Sequence, residues 1–172
     1  LYGRDDIAPD IPGYRIIRQL GRGGMGAVWL AERDSEDFEH QVAIKVIKPG
    51  VFSDSLIERF RRERQILARL NHPNIARLYD GGRTEDGQPY IVMEYVAGTT
   101  LRQHLNAGQP LDARLALFRQ IAKAVEFAHQ NLIIHRDLTP GNVLINAEGQ
   151  AKLIDFGIAR PQVAEVPQRP EP

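Results

Sequence analysis

The apolar periodicity of this 172-residue chain passes from mainly strand-like to mainly helical at Val96-Ala97-Gly98, and that change restricts the folds open to it. Before it lie five short β-like runs: Tyr14–Leu20, Ala27–Ala31, Val42–Ile47, Ile75–Tyr79 and Tyr90–Glu94. Turn-forming residues separate them, notably Gly81-Gly82 and Asp86-Gly87 between the last two, and predict an antiparallel sheet of five strands. One amphipathic helix interrupts the series over Ser53–Leu70, with Leu56, Phe60, Leu67 and Leu70 on one face. Ser55 and Glu58 have the spacing of a capping box at its start. Beyond Gly98 the pattern turns helical. A short helix is predicted over Leu101–Leu105, and a longer one from an Asp112 cap to Gln130, striped by Leu115, Phe118, Ala122, Val125 and His129. Val143–Ile145 and Lys152–Ile154 read as a small hairpin turned at Glu148-Gly149. The fold class is therefore α+β, with a sheet-rich lobe followed by a helical one. Residues 1–13 read as a lead-in, 14–94 as the first lobe, 95–98 as a hinge and 99–160 as the second lobe. Residues 161–172, with four prolines, read as a disordered tail.

Composition removes several function classes. Lys+Arg and Asp+Glu both number 22, so no bulk field draws the chain to nucleic acid or an anionic membrane. No cysteine is present, which excludes disulfides, thiolate zinc sites and cysteine nucleophiles. No apolar run reaches the roughly 18 residues of a spanning helix, and a cytoplasmic setting is expected. Lysines occur only at 45, 48, 123 and 152, so each one's place carries information.

Two polar loops stand out against this background. Ile133–Asn142 delivers Asp137 and Asn142 in a turn rich in Pro and Gly, and Leu153–Gly157 delivers Asp155 directly after a β-like run. Oxygen donors on loops over a rigid support suit a hard cation and a hydroxyl. Upstream, Gly21-Arg22-Gly23-Gly24-Met25-Gly26 lies between two strands. Such a loop lets backbone amides approach phosphate oxygens. A dinucleotide fingerprint would need a helix after the glycines, and a P-loop would need Gly-Lys-Ser/Thr; the sequence offers neither. Lys45 stands inside an apolar strand, where an unpaired ammonium is costly. Glu63, within the apolar stripe of the following helix, offers a countercharge.

His135-Arg136-Asp137-Leu138 with Asn142, followed by Asp155-Phe156-Gly157, resembles the catalytic loop H-R-D-L-x-x-x-N and metal loop D-F-G of protein kinases. Val42-Ala43-Ile44-Lys45 resembles that family's V-A-I-K strand, and Gly21-x-Gly23-x-x-Gly26-x-Val28 its glycine loop. The resemblance runs from about Tyr14 to Arg160. Gly-Arg-Gly-Gly-Met-Gly and Asp-Phe-Gly-Ile-Ala-Arg look most like bacterial serine/threonine kinases of the eukaryotic type.

The resemblance implies a two-lobe kinase fold that transfers phosphate from ATP, with Mg2+, to Ser/Thr hydroxyls of a protein substrate. It implies Asp137 as the group that orients or deprotonates the hydroxyl, and Asn142 and Asp155 as metal ligands. Lys45, paired with Glu63, would hold the α- and β-phosphates beneath Gly21, Gly23, Gly24 and Gly26. Leu20, Val28, Ala43 and Leu144 would sandwich adenine, bordered by Met93, with backbone groups of Glu94 and Val96 bonding its edge. His135 and Phe156 would stack with Leu67 and Leu78 in an apolar column between the lobes.

Two departures accompany the match. Thr139 replaces the lysine that usually follows the catalytic Asp by two residues, which implies a slower enzyme or altered substrate handling. After Arg160 the sequence shows no A-P-E and no further helices, so an apolar face on the Asp112–Gln130 helix should lie open to a partner or to further chain. The alternative function is a nucleotide-binding or interaction module, like a pseudokinase, that does not transfer phosphate.

Overall fold

The computed structural model describes residues 7–23, 26–34, 40–48 and 54–155, less the side chains of residues 54–57, 59, 60 and 63. The first lobe holds β1 (Tyr14–Gly23), β2 (Gly26–Arg33), β3 (Gln41–Ile47), α1 (Asp54–Leu67), β4 (Leu78–Arg83) and β5 (Pro89–Glu94). The second holds β6 (Gly98–Thr100), α2 (Leu101–Asn106), α3 (Leu111–Gln130), a 3-10 turn at Pro140–Asn142, β7 (Val143–Asn146) and β8 (Ala151–Leu153). The first-lobe strands form an antiparallel sheet in the order β1-β2-β3-β5-β4, and β6-β7-β8 form a second, three-stranded one.

Alternation along the strands divides the large sheet into two faces. Ala27, Trp29 and Ala31 of β2 join Val42, Ile44 and Val46 of β3 in one outer cluster with Tyr90 and Val92. Ile11 seals it at 1% exposure, and the Tyr14 N–H donates to the Ile11 carbonyl at 3.1 Å. The segment before Tyr14 is therefore more than a lead-in, because Ile11 is among the most buried side chains of the first lobe. The tail expected over 161–172 lies outside the described residues.

The opposite face of the sheet contributes to a core that runs through both lobes. Leu67, Leu70, Ile75, Leu78 and Ile91 from above meet Leu117, Ala124 and Ala128 of α3 and Val143, Ile145, Ala151 and Leu153 below. Asn74 and Ile75 make the join. The Leu153 N–H donates to the Asn74 carbonyl at 2.8 Å, and the Ala76 N–H donates to the Leu153 carbonyl at 2.9 Å, a parallel bridge. The Asn74 side-chain amide donates to Ala151 O at 2.8 Å and to Gln120 Oε1 at 3.0 Å. This bridge corrects the strand expected over Ile75–Tyr79. Ile75 is committed to the lower lobe, so β4 starts at Leu78 and runs through Gly81-Gly82. The turn falls at Thr84–Gln88, around the expected Asp86-Gly87, with Gly87 at φ 80°.

Other boundaries shift for local reasons. α1 already includes Asp54, so Ser55 lies inside its first turn. Pro110, with its φ fixed near helical values, takes the cap of α3, and Asp112 falls in the first turn. Thr100 supplies a capping box for α2 by exchanging bonds with Gln103. Gly98, read as hinge, opens β6 beside β7. A Cβ there would lie 1.9 Å from the Ile145 carbonyl oxygen, so only glycine allows the two strands to pair.

α3 presents two unlike faces. Leu117, Ala124 and Ala128 are buried against the second sheet, while Leu111, Leu115 and Phe118 are 57–69% exposed. The exposed face borders an open groove of about 860 Å³ that also takes in Ile121, Val125, His129 and Leu138. It is the apolar face expected from the sequence.

Candidate active site

Lys45 lies in mid-β3, directly between Val28 of β2 and Ile91 of β5. Its ammonium meets Asp155 Oδ1 at 3.2 Å, a contact between residues 110 apart in sequence. The side chains are 19% and 29% exposed, so the pair is partly shielded from water. Glu63, the partner expected for Lys45, has its side chain outside the described residues. Nothing in the sequence pattern points to the Lys45–Asp155 pair; only the scarcity of lysine marks Lys45.

Asp137 is held by its own loop. The Asn142 side-chain amide donates to the Asp137 carbonyl at 2.8 Å and to Asp137 Oδ2 at 3.1 Å. With its amide nitrogen so used, Asn142 keeps Oδ1 for a cation. The Asp137 N–H donates to His135 Nδ1 at 3.2 Å, which leaves His135 Nε2 as the N–H that meets the Ile154 carbonyl at 2.7 Å. The Ile154 N–H in turn donates to the Asn142 carbonyl at 3.0 Å. Ile154 is thereby fixed on both sides, and Asp155 follows it directly.

His135 is 4% exposed. Burial pushes its pKa down, opposed in part by its bond to Ile154 and by the Asp137 and Asp155 carboxylates. Held neutral, the ring can accept from Asp137 and donate to Ile154 at once; an imidazolium could not accept. Arg136 and Asp155 take φ of 67° and 51°. Left-handed backbone at non-glycine residues costs about 1–3 kcal/mol each and persists where surrounding contacts over-determine it.

The glycine loop divides in two. Gly26 needs to be glycine, since its φ is 150° and a Cβ would come 1.9 Å from the Val46 carbonyl oxygen. A Cβ at Gly21 or Gly23 would meet nothing within 4 Å, so neither glycine is demanded by internal packing. Gly23 pairs with Gly26 across the hairpin, making this strand–loop–strand, while Gly24 and Met25 lie outside the described residues.

The residues expected around adenine come from both lobes. Val28, Ala43 and Met93 share a strand face with Lys45, Ala43 and Met93 being direct partners across β3 and β5. Leu144 lies on the face of β7 opposite buried Val143 and Ile145, beside its β8 partner Lys152. Leu20 is half-buried near the end of β1, and Val96 lies between β5 and β6. The Glu94 N–H is taken by the Arg77 carbonyl at 2.8 Å. Leu67 and Leu78 are buried in the shared core and His135 is buried too, while Phe156 lies outside the described residues.

A β-rich lobe, a helical lobe and two apposed carboxylate loops define a class that comparison makes specific. The protein kinase domain family matches residues 14–169. The chain belongs to the protein kinase family. It is 48% identical over 149 residues to the serine/threonine-protein kinase PrkC of Bacillus subtilis, covering 85% of this chain and 22% of that protein. It is 44% identical over 153 residues to PknB of Mycobacterium tuberculosis, covering 86% of this chain and 24% of PknB. Among solved structures, a Mycobacterium tuberculosis PknI kinase domain superposes with TM-score 0.78 at 33% identity, covering 93% of this chain and 64% of that one. The chain thus spans about a quarter of these curated relatives and just under two thirds of that solved kinase domain. No described helix is long and apolar enough to cross a membrane.

Proposed function

We propose that this chain is the nucleotide-binding and phosphoryl-transfer part of a bacterial serine/threonine protein kinase, acting in cytoplasmic signalling. The observation that carries this reading is the convergence of Lys45 and Asp155 beside the bonded Asp137–Asn142 pair. In this reading, Lys45 turns from Asp155 to the α- and β-phosphates of ATP. Gly21 and Gly23, where no side chain intervenes, let the glycine loop approach the β- and γ-phosphates. Adenine lies between Leu20, Val28 and Ala43 above and Leu144 below, at the edge formed by Met93, Glu94 and Val96.

The residues present fit Mg2+. Asn142 Oδ1 and the Asp155 carboxylate are hard oxygen donors on loops joined by the Ile154–Asn142 backbone bond. Mg2+ is ordinarily bound by one or two such protein oxygens plus substrate phosphates. When bound, Mg2+ neutralises charge on the phosphates.

Asp137 orients the substrate hydroxyl and accepts its proton as the new O–P bond forms. The bond from the γ-phosphorus to the bridging oxygen breaks, and ADP leaves with those electrons. Asn142 keeps Asp137 in place by its two bonds, and His135 ties both carboxylate loops to one ring.

The test is phosphate transfer from labelled ATP to serine- and threonine-containing peptides, with and without Mg2+, in the wild type and Asp137→Ala. Transfer that needs both Mg2+ and Asp137 supports the reading; ATP binding without transfer would favour a non-catalytic module. Thr139 is exposed at the start of the 3-10 turn, two residues from Asp137. Thr139→Lys would add a cation to neutralise the transferring phosphate. Its expected effect is a transfer rate raised by about tenfold, the equivalent of one exposed charge–phosphate contact of ~1.4 kcal/mol.

A further inference from the structure

We propose that Lys152 is a positioning residue for nucleotide binding, holding through Glu94 the backbone that borders adenine. This inference rests on the proposed ATP site. Glu94 ends β5 where the chain leaves the large sheet, and Gly98 begins β6 after only Tyr95–Ala97. β6 pairs with β7, and β7 pairs with β8, which carries Lys152. The Lys152 ammonium returns to Glu94 Oε1 at 2.9 Å. The three-residue connection between lobes is thereby closed into a ring by one ion pair.

The second Glu94 carboxylate oxygen is also used. The Arg77 N–H donates to Glu94 Oε2 at 3.0 Å, and the Glu94 N–H donates to the Arg77 carbonyl at 2.8 Å. Glu94 therefore couples the start of the hinge, the approach to β4 and the second lobe. The Lys152 and Glu94 side chains are 15% and 26% exposed, so solvent screens this pair less than a surface one. Lys152 also shares a sheet face with its partner Leu144, the residue expected beneath adenine. A lysine that only snorkelled to solvent would not meet a carboxylate already oriented by a backbone amide.

The test uses ATP titration with Mg2+ and site-resolved amide exchange on the full chain, comparing wild type, Lys152→Met and Lys152→Arg. Lys152→Met is expected to weaken ATP binding roughly three- to tenfold, since a charge-assisted bond that preorganises the hinge is lost. Exchange at the Arg77 and Glu94 amides should accelerate about tenfold, while the Val42–Val46 amides of β3 keep their protection. Lys152→Arg should restore both readouts to within about twofold, because the charge remains. Unchanged ATP affinity in Lys152→Met would overturn the inference, as would loss of protection throughout β3. Absence of ATP binding in the wild type would instead overturn the proposed function, and this inference with it.

Discussion

Asp137 and Asp155 are two carboxylates on neighbouring loops, held in opposite ways. Asp137 is fixed by residues within five positions of itself, His135 and Asn142. Asp155 reaches 110 positions back, across the cleft, to Lys45. These bonds of Asp137 lie within one loop of the second lobe. The Lys45–Asp155 pair exists only while the lobes are together. A local constraint suits a group that orients one hydroxyl; a constraint across the cleft suits a group whose partners rearrange when a charged ligand enters.

The largest effect should come from breaking the cross-cleft side. In the proposed reading, Asp155→Ala weakens Mg2+-dependent ATP binding about 100-fold or more, as expected when one member of a shielded charge network is removed. Isothermal titration checks it. In the same reading, Asp137→Ala should lower transfer by about 10²–10⁴-fold while leaving ATP affinity nearly unchanged, because its proposed task is with the acceptor hydroxyl rather than the nucleotide. Parallel rate and binding measurements on that variant separate the two roles. If both variants lost binding equally, the contrast between local and cross-cleft carboxylates would disappear.

His135 links the two sides, and its buried neutral ring gives the contrast a pH signature. Its folded pKa lies below the ordinary 6.5 because burial disfavours the imidazolium. The unfolded chain therefore takes up a proton at a higher pH than the folded one. Its contribution to stability is complete above about pH 6.5 and declines below it, by at most ~1.4 kcal/mol per pH unit for one group. His72, lowered by burial and by Lys123 and Lys152, acts in the same direction. Denaturant melts from pH 7.5 to 5 should therefore show a falling midpoint, with a shallower slope in His135→Phe.

The smallest effect concerns the approach to the catalytic loop. Leu132 is 93% exposed at φ 62°, so its side chain gains little from packing while its backbone is strained. Leu132→Gly should stabilise the fold by about 1 kcal/mol, read as a raised denaturation midpoint. An unchanged or lowered midpoint would mean that the unfolded-state entropy of glycine outweighs the relieved strain.

What the sequence revealed follows from the range of each interaction. Strand and helix identities were legible because alternation and helical spacing are local, and the two carboxylate loops because their residue types are. The site's connections were less so. The Lys45–Asp155 and Lys152–Glu94 pairs join residues 110 and 58 apart, and no periodicity encodes them. Ile75 looked like a strand residue because its apolar neighbours alternate, yet its bridge to Leu153 takes it out of β4. Ile11 looked like lead-in because one apolar residue among prolines has no period. It is buried because the outer face of the large sheet needs a cover. In α3 the stripe of Leu115 and Phe118 was correctly placed on one face, which is the outward one.

The most direct test of the central claim is calorimetric titration of ATP into the wild type, Asp155→Ala and Asp137→Ala, each with and without Mg2+. The predicted result is saturable, Mg2+-dependent binding that Asp155→Ala removes and Asp137→Ala keeps within about threefold. Binding lost in Asp137→Ala but retained in Asp155→Ala would contradict the assignment of the local carboxylate to the hydroxyl and the cross-cleft one to the nucleotide.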